Sequence, residues 1–168
     1  QWELELYPSS VRIALDLGSS LYQLGRYAEA ADLYRRSLER TTHSSRLHAR
    51  LGQALRAGGE LEGALASFRT ALDLNPTDPP SHNNVAAVLV DLGRWSEAEQ
   101  LYLAALELDP NYARVHHNLG DLHAARGDTV QAIRAYERFL TQWQGDDRFR
   151  ELTSSKIRSL TQGKTAPQ

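Results

Sequence analysis

PPSHNNVAAVLVDLGRWSEAEQLYLAALELDPNY, residues 79–112, is the stretch on which the fold turns. It reads as two short amphipathic helices that reverse at Gly93 and stop at Asp109 and Pro110. Moving 34 residues in either direction along the chain returns the same features. Gly25, Gly59, Gly93 and Gly127 fix the register, each at the place where a helical pattern must reverse. Small residues flank every one of them: Gly18, Gly52, Ala86 and Gly120 upstream, and Ala30, Ala64, Ala98 and Ala132 downstream. Small residues on both strokes let two antiparallel helices approach closely, so each copy predicts an αα-hairpin.

Larger residues recur around that contact. Leu17, Leu51, Val85 and Leu119 align, as do Tyr34, Phe68, Tyr102 and Tyr136, and Leu38, Leu72, Leu106 and Leu140. A fixed period of this length is the mark of a stacked repeat array, in which each unit buries its apolar face on its neighbours.

With Leu-Gly, Tyr, Ala, Phe/Tyr, Ala and Pro at these offsets, the pattern resembles the tetratricopeptide repeat in a bacterial-type form. That resemblance implies an all-α chain, a right-handed α-solenoid of helix–turn–helix repeats. The copies are 11–44, 45–78, 79–112 and 113–146. Residues 1–10, with Pro8 two periods before Pro76, align with the end of a preceding helix and predict a stop at Pro8. Asp146 or Asp147 starts a capping helix over 147–161, with an apolar stripe of Phe149, Leu152, Ile157 and Leu160. Residues 162–168 have no periodicity and read as a disordered tail. The family's early Trp is replaced by Ala14, His48, His82 and His116.

Composition narrows the function. A formal net charge of -2 argues against a nucleic-acid binder working by bulk charge. With no Cys, disulfides, thiolate metal sites and Cys nucleophiles are excluded, yet neither an oxidising nor a reducing compartment is selected. A cytoplasmic setting is expected, and periplasmic or other extracytoplasmic settings stay open. No apolar run exceeds six residues, against roughly 18 for a membrane span.

The histidines invite a metal test. His48, His82 and His116 share one place in successive repeats, but stacked helices lie about 8–10 Å apart and zinc needs nitrogens at about 2.0–2.1 Å. They are expected to pack, and no metal or other cofactor is expected. No GxSxG elbow, phosphate loop or HExxH pair is present, so the chain reads as non-catalytic.

Function then rests on surface. The resemblance implies a concave groove, lined by the first helix of each repeat, for a protein or peptide segment. Matching positions at the start of that helix are Arg12, Arg46, Pro80, Arg114 and, in the cap, Arg148. Deeper positions are Tyr22, Gln53, Arg56, Asn83, Asn84, Ala87, Val90, Asp91, His117, Asn118 and Asp121. A row of Arg offers forked donors to carboxylates, so an acidic or extended segment is the expected ligand. The opposing reading pairs such charges within the surface, for instance Arg50 with Asp16. Asn84 and Asn118 resemble two rungs of the asparagine ladder of O-GlcNAc transferase. The carboxylate clamp of Hsp70/Hsp90 co-chaperones is incomplete here, so that partner is not expected. Two alternatives accompany the scaffold reading. One is a substrate-recognition arm of a larger enzyme such as a glycosyltransferase; the other is self-association through Trp2, Leu4 and Leu6.

Overall fold

The computed structural model describes residues 3–162, with side chains described from Val11 onward. Nine helices and no strand occur among these residues. They are α1 (Glu3–Gln23), α2 (Tyr27–Leu38), α3 (Ser45–Ala57), α4 (Leu61–Leu74), α5 (Pro79–Asp91), α6 (Trp95–Leu108), α7 (Ala113–Ala125), α8 (Thr129–Gln142) and α9 (Asp147–Gln162). Each helix packs on the next, and first helices also touch across repeats, α1 with α3, α3 with α5 and α5 with α7. The result is an α-solenoid of four hairpins closed by α9.

The hairpin contact has a clear cause. Gly25, Gly59, Gly93 and Gly127 all sit at φ between 73° and 85°, where a side chain would be strained. Inside the hairpin, a Cβ added to Gly52 would meet the Phe68 ring at 2.8 Å. Gly18 and Gly120 lie closer still to Tyr34 and Tyr136. The absent side chain is therefore the seat of the aromatic ring one helix away. Ala30, Ala64, Ala98 and Ala132 are fully buried on the facing helix.

The repeated histidines join repeats. His48, His82 and His116 place Nε2 at 3.2, 2.9 and 3.3 Å from the carbonyls of Thr42, Pro76 and Pro110. Each ring ties a first helix to the last loop of the preceding repeat. Arg150 takes the same place in α9 and donates to the carbonyls of Leu140 and Trp143. Asp146 caps α9, its carboxylate accepting from the Arg148 N–H at 2.8 Å. Phe139 stands where earlier repeats carry Ser or Ala, and is buried against Trp143 and Phe149 under α9.

Two expectations change. α1 runs unbroken across Pro8, so the stop expected there does not form. Pro8 is the sixth residue of α1, past its first turn, and its missing N–H removes one bond, to the Leu4 carbonyl, without ending the helix. Arg50 donates to Gln53 at 2.9 Å rather than pairing with Asp16, which faces Arg12 at 4.0 Å. Trp2 and residues 163–168 lie outside the described residues; Leu4 and Leu6 fall on α1, ahead of the described side chains. No helix among the described residues is long and apolar enough to cross a membrane.

Candidate functional site

The first helices and α9 enclose an open cleft of about 990 Å³ on one side of the array. It extends from Tyr22 on α1 to Phe149 on α9, so it crosses every repeat. Of the residues expected from sequence, Gln53, Arg56, Asn83, Asn84, Asp91, Arg114, Asn118 and Asp121 line it together.

Most of these polar groups are already engaged with one another. Arg56 Nε donates to Asp91 Oδ2 at 2.5 Å, Asn118 Nδ2 to Asn83 Oδ1 at 2.8 Å, and Lys156 Nζ to Asp121 Oδ1 at 2.5 Å. All three pairs are 35 residues apart, one period plus one. Adjacent first helices are thus tied to one another by the same offset, at three different heights along the floor. Asp121 also accepts from the Tyr136 hydroxyl and lies 3.6 Å from His117 Nδ1. The bond from Arg56 to Asp91 raises the guanidinium pKa against the opposing effect of burial. Burial raises Tyr102 and Tyr136 far above the ordinary phenol value, so both remain donors.

What is left free is sparse. Among the described residues, Arg114 has no ion pair or hydrogen bond, and it is exposed on the cleft wall. Its charge acts on the Tyr112 hydroxyl. The Asn84 amide likewise has no hydrogen-bond partner among the described residues. Gln53 keeps its NH₂ while its oxygen accepts from Arg50. Apolar wall is supplied by Ala57, Ala87 and Val90 on one stretch and by Trp143 and Phe149 at the far end.

Four expected residues fall elsewhere. Arg12, Arg46 and Arg148 are exposed but do not line the cleft, and the Arg12 side chain is 86% exposed. Arg12 lies in the middle of α1 beside Asp16, and Arg46 and Arg148, each second in its helix, stay outside the lining although Arg114 holds the equivalent place in α7. An Arg row therefore does not form; Arg114 alone of that set reaches the cleft. His117 is buried, its ring 4.5 Å from Phe149, 5.3 Å from Phe139 and 5.6 Å from Tyr136, centre to centre. Desolvation holds its pKa below the ordinary imidazole value. The asparagine ladder is also altered, since Asn118 is spent on Asn83. Trp143, Phe149, Tyr102 and Phe68 were not expected to line the cleft. Phe149 had a signal in the apolar stripe of the cap, while Trp143 lies in a loop outside the helical period.

Two tetratricopeptide repeat models match the sequence, one over residues 1–45 and 15–79 and the other over 80–144. The chain belongs to the tetratricopeptide repeat family. No curated protein sequence matches it. Among solved structures, MamA protein is similar at 20% identity, covering 94% of this chain and 84% of that one, TM-score 0.73. PilF of Pseudomonas aeruginosa is similar at 23% identity, covering 96% of this chain and 79% of that one, TM-score 0.75. The first tetratricopeptide domain of Spaghetti (RPAP3), solved with the HSP90 peptide SRMEEVD, is 19% identical over 73% of this chain and 94% of that one, TM-score 0.64. At these identities the likeness carries the fold. Tetratricopeptide repeats are protein-interaction scaffolds, and the family is in general non-catalytic. Among the described residues no three His, Asp or Glu side chains gather as metal ligands.

Proposed function

We propose that this tetratricopeptide array is an adaptor whose concave cleft holds an extended segment of a partner protein. The observation that carries the reading is the pattern of free groups in a floor that is otherwise self-paired. Among the described residues the Arg114 and Asn84 side chains are unpartnered, and Trp143 and Phe149 line the same cleft. The cleft volume sits at the upper end of the roughly 300–1,000 Å³ typical of ligand sites. Its length across all the repeats suits an extended chain.

The free groups specify the segment. An unpaired guanidinium favours a carboxylate, to which it can give two parallel N–H bonds. A free amide both donates and accepts, which suits a peptide backbone. The indole and phenyl rings favour an apolar or aromatic side chain further along the same segment. That a tetratricopeptide neighbour is solved with the peptide SRMEEVD supports an extended, acidic ligand in this kind of groove.

An array of extended peptides, varied in acidic and aromatic content and titrated with the intact chain, tests the reading. Peptides carrying both an acidic and an aromatic residue bind best. Arg114→Glu weakens them at least about tenfold, since it puts like charge against the carboxylate, and Arg46→Glu leaves them unchanged. Equal affinity for the chain and its Arg114→Glu variant would overturn the assignment.

A further inference from the structure

A second cleft, sharing no residue with the first, opens between the third and fourth repeats. It encloses about 630 Å³ and is walled by α6, α7 and α8. Its existence follows from packing: α6 meets α7 less extensively than second helices meet the next repeat elsewhere in the array. The floor is apolar, formed by Leu106, Leu119 and Ala135, and Leu103 stands on the α6 rim half exposed.

The opposite rim is basic. Arg134 and Arg138 are exposed one turn apart on α8, and among the described residues neither guanidinium has an ion pair or hydrogen bond. Two like charges at this spacing disfavour a helix slightly, and no carboxylate here relieves them. The fold does not demand them either. One period earlier the same places hold Gln100 and Ala104, and two periods earlier Ala66 and Thr70. Glu137, between them, lines the cleft without reaching either guanidinium as an ion pair. The charge of Arg138 reaches His116 on the floor, whose ring burial already keeps neutral, so the basic rim meets no opposing titratable group there.

We propose that this cleft is a second docking surface and that its occupant is an amphipathic, acidic helix of a partner protein. Charge complementarity chooses the sign: two unpaired guanidinium groups one turn apart match two carboxylates at i and i+4. The apolar floor beside them receives leucine-like side chains on the adjoining stripe of that helix. The walls choose the form. They place the two guanidinium groups one helical turn apart, the spacing at which a helix presents successive carboxylates, and a helix enters the recess with its own backbone bonds already made. A lipid surface is disfavoured because Leu106, Leu119 and Ala135 lie at the bottom of a recess that a flat bilayer does not enter.

The test uses the intact chain and a synthetic helical peptide of about five turns, roughly 18 residues, with leucines at i, i+4 and i+7 and two glutamates on the adjoining stripe at i+1 and i+5. Fluorescence anisotropy is expected to show saturable binding. Arg134→Glu with Arg138→Glu reduces it at least about tenfold, Leu103→Glu reduces it independently, and Arg114→Glu in the first cleft leaves it unchanged. Both arginines are surface residues, and circular dichroism confirms that the double variant keeps its helix. No binding of the peptide, or binding indifferent to the double change, overturns the proposal. So does sedimentation with anionic phospholipid vesicles that the double variant abolishes, which would assign the arginines to a membrane instead.

Discussion

Ile13 and Leu17 on α1 are 64% and 51% exposed, whereas Leu47 and Leu51, one period further on, are 0% and 7% exposed. The chemistry at the two places is alike; the surroundings differ. Leu47 and Leu51 lie under the second helix of the preceding repeat, and among the described residues nothing covers the same face of α1. At the opposite end, Phe149 occupies the Leu47 position three periods on and is half-buried among His117, Phe139 and Trp143. A repeat's stability is therefore lent to it largely by its neighbour, as a one-dimensional array requires. The C-terminal end obtains that cover from α9; among the described residues the first repeat has no counterpart to it.

The comparison is broken most directly by equal truncations at the two places. Leu47→Ala removes a fully buried side chain between two repeats and is expected to cost about 3 kcal/mol. Ile13→Ala removes an exposed one and is expected to change stability by less than about 0.5 kcal/mol. Urea denaturation of both variants reads the difference. Similar losses would mean that the α1 face is covered in solution.

Phe149→Ala asks the same question at the capped end. The ring is only half-buried, so the loss falls below the roughly 3–5 kcal/mol of a fully buried phenylalanine, at about 2 kcal/mol. It also removes one wall of the concave cleft. Near-UV circular dichroism should show Trp143 losing its fixed environment. An unchanged Tm would show that α9 is held by its polar bonds, Arg150 to the Leu140 and Trp143 carbonyls and Lys156 to Asp121, rather than by this ring.

The architecture was legible because it depends on features that repeat. Turn glycines and small residues opposite rings recur at one spacing, and each has a local cause; the capping stripe was legible only in part, since Leu152 is 52% exposed and Thr153 is the side chain that α9 buries fully. The His ladder was legible as packing, although not the carbonyl that each ring meets. The cleft was legible only in part. Its lining followed from position on the first helix, but which polar groups stay free depends on how one repeat is set on the next. Pairing at a separation of 35 residues consumes Arg56, Asp91, Asn83, Asn118 and Asp121 and leaves Arg114 and Asn84. That offset is a property of the stacking, and no single repeat displays it. Trp143 was missed for a related reason, since a loop residue obeys no helical period. Pro8 misled because its place in the repeat was taken from Pro76, which follows a helix, whereas α1 runs through Pro8 at the loss of one backbone bond.

The smallest effect concerns pH and sharpens what holds the capped end. His117 is packed against Tyr136, Phe139 and Phe149, and its Nε2 is buried without a hydrogen bond. Desolvation lowers its pKa, Asp121 pulls it upward and Lys156 pushes it down again. The unfolded chain takes up this proton near pH 6.5 while the folded chain still refuses it. Below that value the unfolded state binds more protons, so the contribution is fully present above about pH 6.5 and is lost as pH falls through it. His116 is lowered by burial too and adds in the same direction. Stability measured from pH 7.5 down to pH 5.5 should therefore decline, and His117→Phe, which keeps an aromatic ring in the cluster, should make the decline shallower without removing the share due to His116. Identical slopes for the two chains would show that α9 tolerates a charged imidazole beneath it, and that the cap is looser than its packed rings suggest.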